Sequence, residues 1–226
     1  MNAEKAVSIT ASISSETNAD TMQFVCYRSF DVVREIQPRW DEFLERVGGD
    51  LYSSFDWCET WWKHFGQGRQ LEIYIASVDK EIVAILPMFR EKIHWGPFSL
   101  RTVRLIGSDH VANLCALAID SRWLPAVAQT LISQLNRGQA WDVIRIGELA
   151  GYCENAAAFA AELRNSDGIG TVVFSDSNCP HMVFDVPDNF EEFLKSLSLK
   201  ERRNVRHDER TLNVNGEVYW RCPETQ

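Results

Sequence analysis

From residue 38 onward the apolar positions hold one period, lose it and take up another, and each change marks an element. Trp40, Phe43, Leu44 and Val47 recur at i, i+3, i+4 and i+7, which lines one side of a helix. Pro38 is tolerated in its first turn and Gly48-Gly49 supplies a stop. A second helix follows, with Ser53 or Ser54 as its cap, Cys58, Trp61, Trp62 and Phe65 as its stripe and Gly66 at its end. The pattern then becomes two apolar runs, Leu71–Val78 and Glu81–Arg90, around the polar turn Asp79-Lys80. That arrangement predicts a β-hairpin.

Beyond Gly96-Pro97 the runs 101–106 and 113–119 read as strands, with the polar loop 107–112 between them. Leu124, Val127, Leu131 and Leu135 line one side of a helix over about 123–136, and 142–146 follows as a strand. An Ala-rich helix over 155–164 and strands over 171–174 and 181–186 complete the alternation. The fold class predicted is α/β, a mixed β-sheet flanked by helices. Asp188 with Glu191 can open a further helix whose stripe is Phe190, Phe193, Leu194 and Leu197. Ser198 with Glu201 offers a second capping box, so the chain turns there into a helix from Leu199 to about Leu212. A turn signal at Asn215-Gly216 then leads to a strand-like run over 217–222, close to Gln226. A strand needs ladder partners. Either this one joins the sheet upstream or the chain is the front part of something longer, and left unpaired it is a point of association.

Composition narrows the class. With 226 residues, 45% hydrophobic and 24% charged, the chain can bury one sizeable core or two small ones. A formal charge of -9 argues against a surface built for nucleic acid, so any anion site must be local. The longest apolar run, 82–89, is far below the roughly 20 residues of a membrane helix. Residues 1–22 lack the pattern of a secretory signal and read as a disordered tail. Six cysteines lie far apart without metal-site spacing, which fits reduced thiols in a cytoplasmic protein.

Four features carry candidate chemistry. On the helix from Leu199, Lys200, Arg202, Arg203 and Arg206 share roughly one side just after a Ser cap, an arrangement suited to holding a carboxylate or phosphate. The plainer reading is a solvated helix whose arginines pair with Glu201, Asp208 and Glu209. Trp57, Trp61 and Trp62 could form a sugar-stacking platform, but Trp61 and Trp62 fall on the apolar stripe, which leaves Trp57 as the one partly exposed. His94, and Asp109 with His110 in the loop between two strands, are candidates for acid–base work or ordinary surface residues. The stretch 164–170, Arg-Asn-Ser-Asp-Gly-Ile-Gly, resembles a pyrophosphate loop but runs from helix to strand, so it reads as a helix stop and turn.

An ordered series of short motifs adds to this. It comprises Trp40-Asp41, Ser54-Phe55-Asp56-Trp57 with Thr60-Trp61-Trp62 and Phe65-Gly66, the hairpin ending at Pro87, Arg101-Thr102-Val103 with Leu105-Ile106-Gly107, Asp109 before Leu114, and Trp141-Asp142. It closes on Leu197-Ser198 and Arg202-Arg203-Asn204-Val205-Arg206. From about Phe24 to its end the chain resembles the front half of the CelD-type or BioF-like acetyltransferases, which are related to the Fem-type transferases. The resemblance implies two tandem domains of N-acetyltransferase-like fold, this chain supplying the degenerate first. On it the chain divides into a tail (1–22), the N-terminal domain (23–187), and a basic connecting helix with the first strand of an incomplete second domain (188–226). It implies a CoA-dependent acyltransferase acting on a cell-envelope or exopolysaccharide precursor, with the acyl-CoA (acetyl-CoA) site in the second domain and outside this chain. The substrate-binding candidates are then Lys200, Arg202, Arg203, Arg206, Asp109, His110 and Trp57, with no catalytic residue or metal ligand assigned. His207-Asp208-Glu209 departs from the family's continued basic run. The alternatives are a non-catalytic binding module or a truncated, inactive remnant.

Overall fold

The computed structural model describes residues 7–12, 21–108, 116–138, 140–147, 154–166 and 187–216. The chain divides into two units, Met1–Phe174 and Ser175–Gln226, a boundary earlier than the 187/188 division expected from sequence.

The first unit is built on a sheet of β1 (Val7–Ser12), β2 (Thr21–Tyr27), β3 (Gln70–Val78), β4 (Glu81–Trp95), β5 (Phe98–Leu105), β6 (Ala118–Ile119) and β7 (Val143–Arg145). Its order is β1-β2-β3-β4-β5-β7, with β6 beside β4. Every described pairing is antiparallel except β5 with β7, which is parallel. The mixed α/β sheet is therefore as the residue pattern predicts. The parallel pair needs a crossover, which α4 (Leu124–Arg137) supplies.

Helices cover both faces. On one, Trp40, Phe43 and Leu44 of α2 (Gln37–Val47), with Phe55, Cys58 and Trp61 of α3 (Phe55–Phe65), pack on Leu71, Ile73, Ile85 and Phe89. The short α1 (Phe30–Val33) adds Phe30 and Val33. On the other, Val127, Leu131 and Leu135 of α4 and Phe159 of α5 (Glu154–Arg164) pack on Met22, Phe24, Tyr74, Leu86 and Met88. Because successive side chains of a strand point to opposite faces, β3 and β4 feed both cores and read as nearly continuous apolar runs. The hairpin turn is tight: Asp79 and Lys80 both have positive φ, 48° and 72°, and the Arg39 guanidinium donates to the Lys80 carbonyl.

Three expectations change. The tail assigned to residues 1–22 contains β1, and Met22 is fully buried. The Val-Ser-Ile-Thr-Ala-Ser run is polar enough to pass for a tail, but it pairs along β2 from Val7↔Cys26 to Ser12↔Thr21. Of the strand expected over 113–119, Ala118–Ile119 is strand, Ala116 and Leu117 are not, and 113–115 lie outside the described residues. The hairpin arm is longer than its apolar run: β4 continues to Trp95 and turns through Gly96-Pro97 into β5 at Phe98. The strands expected over 171–174, 181–186 and 217–222 also lie outside the described residues.

In the second unit, α6 (Phe190–Ser196) is capped by Asn189, whose side chain accepts from Glu192 N–H, in place of the expected Asp188. α7 (Leu199–Asn215) opens with the predicted capping box: Ser198 Oγ accepts from Glu201 N–H and Glu201 Oε2 accepts from Ser198 N–H, at 3.3 and 3.0 Å.

Candidate functional site

The site arises from unequal strand lengths. β3 starts its pairing with β4 at Gln70↔Arg90, whereas β4 runs on through Glu91–Trp95 paired with β5 alone among the described residues. This step opens a cleft of about 600 Å³, within the range of roughly 300–1,000 Å³ typical of small-molecule sites. Its walls are the Gln67–Gln70 turn, Arg90, Glu91, Lys92 and His94 of β4, Arg101 and Thr102 of β5, and Ala140-Trp141 ahead of β7.

Register sorts the charges by face. Leu86 and Met88 belong to the α4 side, so Arg90, Lys92 and His94 continue that side with period two, and Arg101 stands opposite Lys92 on β5. Arg90 is held from two directions. Its Nε donates to Glu72 Oε2 at 2.8 Å, and a Cβ on Gly138 would stand 3.6 Å from its Nη2, so the guanidinium reaches the negative, C-terminal end of α4. Tyr74 Oη donates to the same Glu72 oxygen at 2.7 Å. Burial, reinforced by the Glu72 carboxylate, pushes the Tyr74 phenol upward and raises the Cys26 thiol to about 11.

On the opposite face Glu91 bridges two arginines, with Arg69 Nε and Arg104 Nη1 each 3.0 Å from its oxygens. Both guanidiniums lie over Phe89, at 4.8 and 6.0 Å from the ring centre, where the aromatic face favours a cation. The Thr102 hydroxyl is buried with no hydrogen-bond partner among the described residues. At the rim Asp142 Oδ2 accepts from the Arg101 backbone N–H at 2.8 Å and from its Nε at 2.9 Å. These hydrogen bonds hold the Asp142 carboxyl down at about 2.

Four basic side chains, Arg69, Arg90, Lys92 and Arg101, line the cleft beside Glu91. Lys92 is exposed and has no acidic partner among the described residues. In a chain of net charge -9 this lining is locally basic.

Of the sequence candidates described in the first unit, His94 lines the cleft and Trp57 does not. Trp57 is half-buried and stacks edge-to-face on Tyr52 at 5.1 Å, with its Nε1 buried and lacking a described partner. Asp109 and His110 lie outside the described residues. Arg202 donates to the carbonyls of Leu194, Lys195 and Leu197 at 2.8, 3.0 and 3.2 Å, so it caps the end of α6. Arg206 lies 3.7 Å from Glu191, while Lys200 and Arg203 are exposed. Sequence reasoning did not select Arg69, Arg90, Lys92 or Trp141 as site residues. The available signal was the period-two basic run Arg90-Glu-Lys92-Ile-His94 directly after an apolar strand.

Comparison of the chain with protein-family models, with curated proteins and with solved structures found no match in any of the three. A pyrophosphate cradle needs a glycine-rich link from a strand into a helix N-terminus. The β2–α1 link, Arg28-Ser29, and the turn from Asp120 toward α4 carry no glycine, whereas the β7–α5 link carries Gly147 and Gly151, and its residues 148–153 lie outside the described residues. Among the described residues no group of three or more His, Cys, Asp or Glu side chains is placed to hold a metal ion, and no helix is long and apolar enough to cross a membrane.

Proposed function

We propose that the first unit binds an anionic, saccharide-type precursor in the cleft beside β4, as the acceptor-binding part of a CoA-dependent acyltransferase. The supporting observation is the set of basic side chains, Arg90, Lys92 and Arg101, that β4 and β5 bring to the cleft where β3 ends. An acyl acceptor must be oriented before it can attack a thioester, and a fixed set of cations beside an indole gives an anionic acceptor one orientation. The acyl-transfer component rests on the motif series from Trp40-Asp41 to Arg206, and acyl-CoA is assigned to a second domain of the tandem pair.

A second reading, a binding module without catalysis, is favoured by the state of the carboxylates. Glu72, Glu91 and Asp142 are each ion-paired, so among the described residues no carboxylate at the cleft is set up as a general base. Thermal melting with added ligand tests the claim that the two readings share. A sugar acid or sugar phosphate is expected to raise the melting temperature by mass action, and Lys92→Glu with Arg101→Glu is expected to abolish the rise. No rise with any anionic saccharide sinks the cleft reading. Transfer of an acetyl group from acetyl-CoA to the bound saccharide, by the chain paired with an acyl-CoA-binding domain, would decide for the enzyme over the module.

A further inference from the structure

We propose that the hairpin arm Lys92–Arg101 docks the first unit on a bilayer surface that carries anionic headgroups. The apolar side of the arm enters the interface and its basic side meets the headgroups. This docking is separate from binding in the cleft.

β3 pairs with β4 no further than Arg90, and β7 pairs with β5 only from Thr102 on. Among the described residues Lys92–Arg101 is therefore a two-stranded ribbon that turns at Gly96-Pro97. At roughly 3.3 Å per residue, β4 carries the tip of the arm about 16 Å past Arg90. Residues 92–94, 96–99 and 101 are exposed, and Leu100 is partly so. A two-stranded ribbon is marginal in water unless something covers a face of it.

Register gives the two faces different chemistry. Ile93 stands opposite Leu100, and Phe98 lies two residues along on the same side. Of these Ile93 is 38% exposed and Phe98 70%. The other side carries Lys92 opposite Arg101 and His94 opposite Ser99. No Asp or Glu occurs from Lys92 to Ser108; the carboxylate that pairs with Arg101, Asp142, comes from outside the arm.

Area and charge choose the occupant. A specific protein interface buries about 800 Å² on each partner, which Ile93, Phe98 and Leu100 on a narrow ribbon do not supply. A bilayer interface takes apolar side chains singly, each adding to the affinity. Its anionic headgroups lie directly above an apolar layer, the same order of charge and hydrocarbon that the two sides of the arm present. Screening confines the attraction to about 8 Å at physiological salt, so the charges on the arm count for more than the net -9 of the chain.

Flotation of the full chain with vesicles of phosphatidylcholine, with and without phosphatidylglycerol, at low and high salt tests this. The chain is expected to float with the phosphatidylglycerol vesicles at low salt, to be released at high salt and to ignore phosphatidylcholine alone. Ile93→Ser with Phe98→Ser, at exposed positions where melting curves will check folding, is expected to weaken vesicle binding roughly tenfold or more. Lys92→Gln should weaken it less and flatten its salt dependence. Lys200→Gln with Arg203→Gln, exposed basic residues of α7, should float as the wild type does. Absence of flotation at low salt, or flotation unchanged in the Ile93 and Phe98 variant, overturns the proposal. Self-association in sedimentation velocity that this variant abolishes, without flotation of the wild type, overturns it in favour of a second copy of the chain.

Discussion

Four basic side chains line the cleft, Arg69, Arg90, Lys92 and Arg101, and four others stand on the first part of α7, Lys200, Arg202, Arg203 and Arg206. In the cleft the guanidiniums are fixed by groups far away in sequence. Glu72 is eighteen residues from Arg90, and Asp142 is forty-one from Arg101. On α7 Arg202 turns back by eight residues or fewer to the carbonyl ends of α6. A basic residue placed just after a tight helix–helix corner is within reach of open carbonyls and stabilises the corner. On a strand that outruns its neighbour the partner comes from elsewhere in the fold, Glu72 for Arg90 and Asp142 for Arg101.

The sharpest way to break this comparison is to remove Glu72. Its side chain and that of Arg90 are almost fully buried, and deleting one partner of a buried ion pair costs roughly 3–5 kcal/mol. Glu72→Ala is therefore expected to lower the urea midpoint strongly, and a loss below about 1 kcal/mol would mean that Arg90 is held by other groups. Arg202→Ala should cost less, about 1–2 kcal/mol for the lost carbonyl contacts, read as faster amide exchange in α6 and the first turns of α7. Arg203→Ala serves as its control and should leave both unchanged. Equal effects at Arg202 and Arg203 would remove the distinction drawn above.

A smaller effect is expected at Asp142, which faces solvent. Its carboxyl is depressed from 3.8 to about 2, so its contribution is fully present above pH 3.8 and is lost as pH falls toward 2. Thermal melts of the wild type and Asp142→Asn should differ at pH 5 and converge near pH 2, and a constant difference would contradict the Arg101 contact. Smallest is the Cys26 thiol, raised to about 11 by burial and then by Glu72. It should alkylate more slowly than a peptide thiol at pH 8.5 and faster in Glu72→Gln.

How far the sequence reaches depends on whether a feature is local. The helices α2 and α3, their stop at Gly48 and cap at Ser54, and the Asp79-Lys80 hairpin follow from residues within a few positions of one another. Gly66 is legible for the same reason: a Cβ there would meet the Trp62 ring at 2.5 Å. β1 is less legible because an edge strand needs no apolar run, only a partner, and eight residues separate it from β2. The cleft is not legible, since it depends on where β3 begins relative to β4 and on which strand β7 joins. Arg101 and Trp141-Asp142 stand out in the motif series, but nothing local says that they meet.

The β5–β7 pairing bears on the order in which the molecule assembles. β3, β4 and β5 are joined by two hairpins and can zip locally, carrying Arg90, Lys92 and Arg101 into register. Thr102↔Val143 closes a far longer loop, and such closures come later because their entropy must be met before the contact forms. The basic floor is thus expected to exist before the wall that carries Trp141. During refolding the chain would present a positively charged hairpin to solvent before the indole arrives to narrow what can settle on it.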